Sequence, residues 1–187
     1  MALLPQAAWA YAVRGGVTAA LLAASWGLVR REGGCLRRRW GVGVATLVGL
    51  VVFLVWIAPE PWLWPGGDGA EAGGAVYAPA TCGWALSLAK LCASAFVISV
   101  AEELFFRKWL VEFAGFGWML VLFGVEHMRW DLGVGRGCVF IAEGVFAGLA
   151  YGLLARRYGL PAAIVAHAVT NLVLGFYVIF WGKWFYW

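Results

Sequence analysis

The sequence predicts an all-α protein, a polytopic transmembrane helical bundle with about six membrane-spanning helices. Three observations lead to this prediction. Of the 187 residues, 64% are hydrophobic and only 13% are charged, about half the charged fraction of a soluble domain. The apolar residues form runs of about 18 to 25 residues, the length needed to cross ~30 Å of hydrocarbon. Most of the 13 tryptophans lie near the ends of these runs, as in the aromatic belts of membrane proteins.

The predicted spans follow one another along a single membrane domain, residues 1–187, with the motif-bearing core at about 81–181. The spans cover residues 7–29, 40–57, 81–107, 117–130, 138–155 and 161–181. The first carries Arg14 within its apolar run and has no basic segment before it, which favours a retained helix over a signal peptide. The fourth is short, and it crosses the membrane only if residues 108–116 form an interfacial elbow or continue the third helix.

The basic residues predict an orientation for these spans. Nine of them fall on one side of a six-span arrangement, which is then cytoplasmic by the positive-inside rule. They are Arg30, Arg31, Arg37, Arg38, Arg39, Arg107, Lys108, Arg156 and Arg157. The loop over residues 58–80 has acidic residues and no Lys or Arg, as expected on the opposite side.

Composition and spacing argue against several classes of function. The net charge of +4 is not accompanied by a Lys/Arg cluster interleaved with aromatic residues, as a nucleic-acid groove would require. The four cysteines lack the CxxC spacing of metal sites. The chain shows no internal repeat of the kind that secondary transporters commonly contain.

Ionisable side chains are costly within a membrane helix unless they are paired or line a cavity, so each one is a functional hypothesis. The third span contains Glu102, Glu103 and Arg107. On an α-helix Glu103 and Arg107 share a face at ion-pair spacing, whereas Glu102 points about 100° away. Glu102 is therefore predicted to face a buried water as a general base, while Arg107 holds Glu103. The alternative is a cluster of charges at a helix end.

Both histidines of the chain also lie in apolar segments. His127 lies on the fourth span, and His167 stands one helical turn before Asn171 on the sixth. An imidazole and a carboxamide so placed can donate hydrogen bonds to one developing oxyanion. The alternative is that each histidine is a structural hydrogen-bonding group. Together with the two glutamates, these residues are predicted to form one buried polar site.

Three segments of the sequence resemble a known family. EELFFR, FGVEH and HAVTN match, in order, the EExxxR, FxxxH and HxxxN/D motifs of the CPBP intramembrane proteases, which include CAAX prenyl endopeptidases and bacteriocin-processing enzymes. The resemblance covers residues 99–174. FGVEHMRW and the glycine-rich segment that follows are similar to a small bacterial branch associated with exosortase and C-terminal protein sorting.

The resemblance implies an intramembrane endopeptidase that cleaves the C-terminal region of a membrane-anchored or lipidated protein or peptide. Glu102 and His127 would activate the attacking water, and His167 and Asn171 would stabilise the oxyanion, with Glu103 and Arg107 in support. It further implies an integral protein of the bacterial inner membrane and no cofactor. Zinc is the alternative, but HExxH is absent from the sequence.

Other polar residues have no assigned role. Glu143 precedes a stripe of small residues, Gly144, Gly148 and Gly152, which would let another helix approach closely. Glu143 would either bond to a neighbour such as Lys90 or tune the site, and Glu126 is equally open. Two other functions remain: a non-catalytic membrane scaffold, and a proton-coupled carrier that uses the same buried polar residues.

Overall fold

The computed structural model describes residues 4–24, 27, 41–63, 73–129 and 133–187, and this part of the chain contains helices and no strand. The all-helical prediction is therefore confirmed. The six main helices are α1 (Leu4–Ala24), α2 (Gly41–Ile57), α3 (Trp84–Ala114), α4 (Phe116–Glu126), α5 (Gly133–Tyr158) and α6 (Leu160–Trp181). Short helical segments lie at Glu60–Leu63, Gly73–Tyr77, Pro79–Cys82 and Trp184–Tyr186.

Four of the described helices are long and apolar enough to cross a membrane: α2 with its continuation to Leu63, and α3, α5 and α6. The first helix has 21 residues and is not among them. Helix α4 has only 11 residues, which at 1.5 Å per residue is about 16 Å and half of the hydrocarbon thickness. The six predicted spans correspond to six described helices, and four of these are long and apolar enough to cross a membrane. The protein is an integral membrane protein.

The segment predicted as an elbow or an extension is an extension of α3. The helix continues as far as Ala114, with an exposed ion pair of 2.6 Å between Lys108 and Glu112 on its surface. It ends at Gly115, whose φ of 84° is readily adopted only by glycine. This turn directs α4 back into the bundle.

Helix α3 changes its winding around the acidic pair. Ala93–Ile98 and Leu104–Leu110 are π-helical, and they enclose a five-residue α-helical segment, Ser99–Glu103. In a π-helix each hydrogen bond spans five residues rather than four, and such wide turns occur frequently at functional sites. The two glutamates therefore lie on a short α-helical segment between two wider ones.

Helix α6 is central, because it packs against α2, α5 and the middle of α3. The contact with α2 is close at Gly49, where a Cβ atom would lie 2.5 Å from the carbonyl oxygen of Ala166. The hydroxyl of Thr170 uses this proximity and donates a hydrogen bond of 2.8 Å to the carbonyl oxygen of Gly49. The two helices are thus joined next to His167.

The small-residue stripe on α5 allows α4 to approach, as predicted. A Cβ atom at Gly144 would lie 3.0 Å from Cα of Gly124 and 3.2 Å from Cβ of His127. Further along, a Cβ at Gly148 would contact Phe123 at 3.1 Å. The close crossing of these helices brings the end of α4, and with it His127, against the interior of the bundle.

Part of the predicted topology lies outside the described residues. This applies to the basic loop with Arg30, Arg31, Arg37, Arg38 and Arg39, to Cys35, and to residues 64–72 of the loop opposite. Of the remaining residues predicted on that side, Arg156 and Arg157 lie in the last turn of α5. The Arg156 guanidinium lies 3.9 Å from the ring centroid of Phe116, so the end of α5 contacts the start of α4.

Candidate active site

Glu103 lies at the centre of a buried polar group. Its side chain is completely buried and contacts two partners. One carboxylate oxygen lies 3.1 Å from Nε of Arg107, so the predicted ion pair is present. The other lies 2.9 Å from Nδ1 of His167 on α6. Glu103 therefore joins α3 to α6 as well as pairing with arginine, a contact that the spacing of residues along α3 did not reveal.

Arg107 is buried mainly against aromatic rings. Its guanidinium carbon lies 4.0 Å from the ring centroid of Phe123 and 5.6 Å from that of Tyr151. Charge attraction to Glu103 and contact with the faces of these rings therefore offset the free-energy cost of removing the guanidinium from water.

Glu102 approaches the opposite side of the same imidazole. Its Oε2 lies 3.7 Å from Nε2 of His167, which is beyond hydrogen-bond distance, and its side chain is 22% exposed. The two carboxylates thus flank the two ring nitrogens of one histidine. The prediction that they face different surroundings holds for exposure, but both of them reach His167.

The contacts of His167 show which of its two ring nitrogens donates to Glu103. A carboxylate only accepts hydrogen bonds, so Nδ1 carries the proton that is donated to Glu103. Nε2 is then either bare, or protonated in an imidazolium that Glu103 stabilises. The ring is stacked on Tyr151 with centroids 4.9 Å apart and planes at 19°. Tyr151 in turn donates a hydrogen bond of 2.7 Å to Thr170.

His127 is the residue directly after α4 and is oriented by that helix. Its Nδ1 lies 2.7 Å from the carbonyl oxygen of Phe123, one turn earlier. A carbonyl cannot donate, so Nδ1 carries a proton. The rings of Phe123 and Trp56 around His127 disfavour the charged form, so Nε2 keeps its lone pair. Trp56 packs edge-on against the ring at a centroid distance of 5.2 Å. His127 is therefore held as a neutral imidazole with one basic nitrogen available.

Asn171 is engaged by helix α3. Its Nδ2 donates to the carbonyl oxygen of Ser94 and to the hydroxyl of Ser99, each at 3.1 Å. Since the Ser94 carbonyl only accepts, this contact sets the orientation of the amide. In this arrangement both N–H groups of Asn171 bind α3, one in the π-helical segment at Ser94 and one at Ser99, so they are not directed at a substrate oxygen.

Three of the four predicted catalytic residues line one cavity of about 160 Å³. These are His127, His167 and Asn171, and Glu102 is not part of the lining. The remaining walls are Trp56, Phe123, Ala147, Tyr151, Thr170, Leu174 and Tyr186. Glu102 lies 3.7 Å from one residue of this lining, His167.

The polar residues without an assigned role lie around this site. Glu126, at the exposed end of α4, is near enough to Glu102 and His167 to interact with them electrostatically. Lys90 does not pair with Glu143, because its Nζ lies 3.8 Å from the ring centroid of Tyr11 and also faces two further rings. The suggested bond between Lys90 and Glu143 was therefore wrong.

The described side chains do not fit a zinc site. Among them, no three His, Cys, Asp or Glu residues are grouped so that they could hold a metal ion. A catalytic zinc site needs three protein ligands around one point.

Several residues of the site had no role in the sequence analysis. They are Tyr151 beneath His167, Ser94 and Ser99 beside Asn171, and Trp56 against His127. A phenol within the apolar α5 is the one signal that sequence alone offered. Ser94 accepts through its backbone carbonyl and Ser99 through its hydroxyl, and a residue pattern does not show that either atom faces Asn171.

Comparison with known proteins gives one family match. Residues 83–173 match the family described as type II CAAX prenyl endopeptidase Rce1-like. The matched segment begins just before α3 and ends two residues after Asn171, so it includes both glutamates and both histidines of the site. No curated protein and no solved structure matches the chain.

Proposed function

Because the chain carries an Rce1-like domain of the CPBP family of membrane proteases, we propose that it is a glutamate-dependent intramembrane endopeptidase. It cleaves the C-terminal region of a membrane-anchored or lipidated protein or peptide with a water activated by glutamate and histidine. The observation that carries this proposal is the contact series Arg107, Glu103, His167 and Glu102 beside the cavity that His127 lines. Such a buried polar series is costly in a membrane and is typical of a reactive site.

Water activation falls to Glu102 and His127. Glu102 makes no direct hydrogen bond to His167 at 3.7 Å, so its oxygens are available to accept a proton from water. His127 presents a bare Nε2, because Nδ1 donates to Phe123 and the surrounding rings disfavour the charged form. Each group can therefore act as the base or hold the water for the other. General-base catalysis of this kind contributes a factor of about 10² to 10⁴ in rate.

Oxyanion stabilisation falls to His167 and Asn171. His167 donates from Nε2 when both ring nitrogens are protonated, and the buried Glu103 carboxylate stabilises this imidazolium through Nδ1. Asn171 takes part by exchanging its bond to Ser99 or Ser94 for a bond to the substrate oxygen. Arg107 keeps Glu103 in place throughout.

A direct test uses the full-length protein in liposomes with a panel of peptides. The panel contains a prenylated CAAX peptide, its unprenylated counterpart, a bacteriocin leader and a C-terminal sorting signal with its membrane segment. We expect mass spectrometry to detect one cleavage product with the wild type and none with Glu102→Gln. A product that both proteins release equally would contradict the assignment of Glu102.

Two alternatives predict different results in the same liposomes. A non-catalytic scaffold would leave the whole panel intact, and Glu102→Gln would bind partners as the wild type does. A proton-coupled carrier would acidify the vesicle interior when a solute gradient is applied, and Glu102→Gln would abolish that signal. A cleavage product without proton movement distinguishes the protease from both.

We also propose that hydrolysis needs no metal. The support is the chemistry of the site, in which two bases and a protonatable histidine supply what a Lewis acid would. Purified protein should contain zinc well below one equivalent and should keep its activity after dialysis against a strong chelator. Activity that disappears on chelation and returns with zinc alone would overturn this proposal.

The substrate would reach the site from the bilayer, so the partners proposed are lipid and a membrane-anchored or lipidated peptide, not nucleic acid. The bacterial inner membrane is the proposed location, and protein sorting the proposed process. Both follow from the similarity of FGVEHMRW and its neighbours to the exosortase-associated branch. A preference for the sorting-signal peptide over the prenylated peptide would support this placement.

A further inference from the structure

Glu143 is a buried carboxyl group that the proposed mechanism does not use. Its exposed fraction is only 6%, and both carboxylate oxygens are without a hydrogen-bond partner among the described residues. Leaving a buried polar group unsatisfied costs on the order of a few kcal/mol, and more for a charged one. Most buried polar groups are paired, so an orphan of this kind requires an explanation.

The position of Glu143 connects it to the active-site cavity. Glu143, Ala147 and Tyr151 succeed one another at intervals of four residues along one face of α5, and Ala147 and Tyr151 line the cavity. The small side chain of Ala147 separates Glu143 from the Tyr151 ring that stacks on His167. Glu143 itself is not part of the lining and lies one helical turn beyond the wall that Ala147 forms.

The opposite wall gives the same location. Trp56 and Tyr186 line the cavity, and Trp56 contacts Phe140, which lies one turn before Glu143 on α5. The pKa of the Tyr186 phenol is raised by burial and, to a smaller extent, by the nearby carboxylates of Glu60 and Glu143. Glu143 thus lies at the Tyr186 end of the cavity, away from His167.

Basic residues elsewhere in the bundle are already engaged. Lys183 forms an ion pair of 2.6 Å with Glu60, which also accepts a hydrogen bond from Tyr177. Lys90 is surrounded by the rings of Tyr11, Tyr77 and Trp187. Neither lysine is therefore placed to pair with Glu143, and among the described residues no basic side chain forms an ion pair with it.

We propose that Glu143 is a specificity-determining residue that binds a lysine or arginine side chain of the peptide substrate. An ammonium or guanidinium group forms the strongest hydrogen bonds with a carboxylate, and burial strengthens them further. Eight residues of helix separate Glu143 from Tyr151, which is about 12 Å along the axis. An extended peptide covers this distance in three or four residues at ~3.3 Å each. The basic residue is therefore three or four positions from the scissile bond.

This inference rests on the proposed function, and a binding experiment separates the two. The probe is a set of fluorescent membrane-anchored peptides, based on the best substrate of the panel, in which one lysine is moved through positions one to six on either side of the cleavage site. Norleucine replaces lysine in the matched neutral peptides. Affinities are measured with full-length Glu102→Gln protein in liposomes, because this variant binds without cleaving.

We expect lysine to bind at least about tenfold more tightly than norleucine at the third or fourth position on one side, and at no other position. Adding Glu143→Gln should abolish the preference. The matched control is Glu112→Gln, since Glu112 is exposed and pairs with Lys108 on the surface of α3. This control should retain the lysine preference in full.

A second measurement with the wild type covers the case in which Glu143→Gln fails to fold. A hydrophobic carbodiimide modifies buried carboxyl groups, and modification of Glu143 is quantified by peptide mass spectrometry. The lysine peptide should protect Glu143, whereas the norleucine peptide should not.

A flat positional profile, or equal protection by both peptides, would overturn the subsite. So would a Glu143→Gln variant that weakens lysine and norleucine peptides alike, since that carboxylate would then serve only the fold. A wild type that cleaves the panel without any lysine preference refutes the subsite and leaves the protease intact. A wild type that cleaves nothing refutes the protease.

Discussion

Glu102 and Glu103 are adjacent in sequence but differ in what surrounds them. Glu103 is completely buried between Arg107 and His167, while Glu102 is 22% exposed and lies near a single nitrogen. Removing the charge of Glu102 therefore disturbs little of the packing. Removing the charge of Glu103 disturbs two buried partners on two helices.

We expect Glu102→Gln to fold with an almost unchanged melting temperature and to lose a factor of at least ~10² to 10⁴ in cleavage rate, because the general base is gone. Glu103→Gln leaves Arg107 as a buried unpaired charge, which costs about 3 to 5 kcal/mol. Its activity should fall together with its stability. Melting temperatures and cleavage rates of both variants, with Arg107→Ala for comparison, test this division. Normal cleavage by Glu102→Gln beside a stable but inactive Glu103→Gln would mean that the roles are reversed.

Tyr151 offers a test of ring stacking against proton donation. Its ring lies flat on His167, and its hydroxyl donates to Thr170 rather than into the site. Tyr151→Phe keeps the ring and should retain kcat within a few-fold, with a stability loss of about 1 kcal/mol for the hydrogen bond. Tyr151→Leu removes the flat surface and should lower kcat at least about tenfold at similar KM. A fully inactive Tyr151→Phe would show that the hydroxyl takes part in the chemistry.

The residues of the site could be predicted from sequence because a polar side chain in an apolar helix is costly to bury and therefore rare. Glu103, His127 and His167 are polar groups in apolar segments, and the structure brings them around one site. Their partners were less predictable. Asn171 was expected to face the oxyanion, yet its donors bind the Ser94 carbonyl and the Ser99 hydroxyl, which itself donates to the same carbonyl. A contact to a backbone carbonyl on another helix leaves no trace in the residue pattern.

At the level of helices, hydropathy located all six main elements but not their winding. The rule of about 100° per residue assumes a regular α-helix, and α3 has π-helical segments on both sides of Ser99–Glu103. The rule therefore separated Glu102 from Glu103 correctly but did not reveal that both reach His167. Hydropathy also overestimated the length of α4, which was predicted to reach residue 130 and ends at Glu126.

The crossing of α4 and α5 depends on the absence of side chains at the glycine stripe. Gly144→Leu would place a side chain where Gly124 and His127 already lie within about 3 Å of a Cβ atom. We expect a loss of 1 to 3 kcal/mol from overpacking and at least about tenfold slower cleavage, because His127 is displaced. Gly135→Leu is the matched control, since it lies on the same helix and a Cβ there meets nothing within 4 Å.

Gly135→Leu gains the same helix propensity as Gly144→Leu and should remain active and stable. Thermal unfolding in detergent and the cleavage assay report the two effects separately. Equal behaviour of the two variants would show that the close crossing is unimportant for placing His127.

The bundle as a whole has two chemically different ends. At one end Arg156 stacks on Phe116, close to the end of α3, and Arg157 lies beside it in sequence. At the other end Glu60 joins the C-terminal part of the chain through Lys183 and Tyr177. Basic residues lie at both ends, since Arg129 binds the carbonyl oxygen of Phe185 near Lys183, so a cytoplasmic Arg156 end stays a prediction from the sequence of the basic loop, residues 30–39. The loop over residues 58–80 then lies outside.

Cysteine labelling of intact cells distinguishes the two orientations. In a background without the four native cysteines, we expect Thr81→Cys to react with an impermeant maleimide added from outside, because Thr81 is exposed at the end opposite Arg156. Arg157→Cys, which is also exposed, should react only after the membrane is permeabilised. The opposite pattern would place the basic end outside, in conflict with the positive-inside rule. It would also mean that the Glu143 end of the cavity, which lies toward Tyr186 and Glu60, opens to the cytoplasm, so basic substrate segments would have to approach from that side.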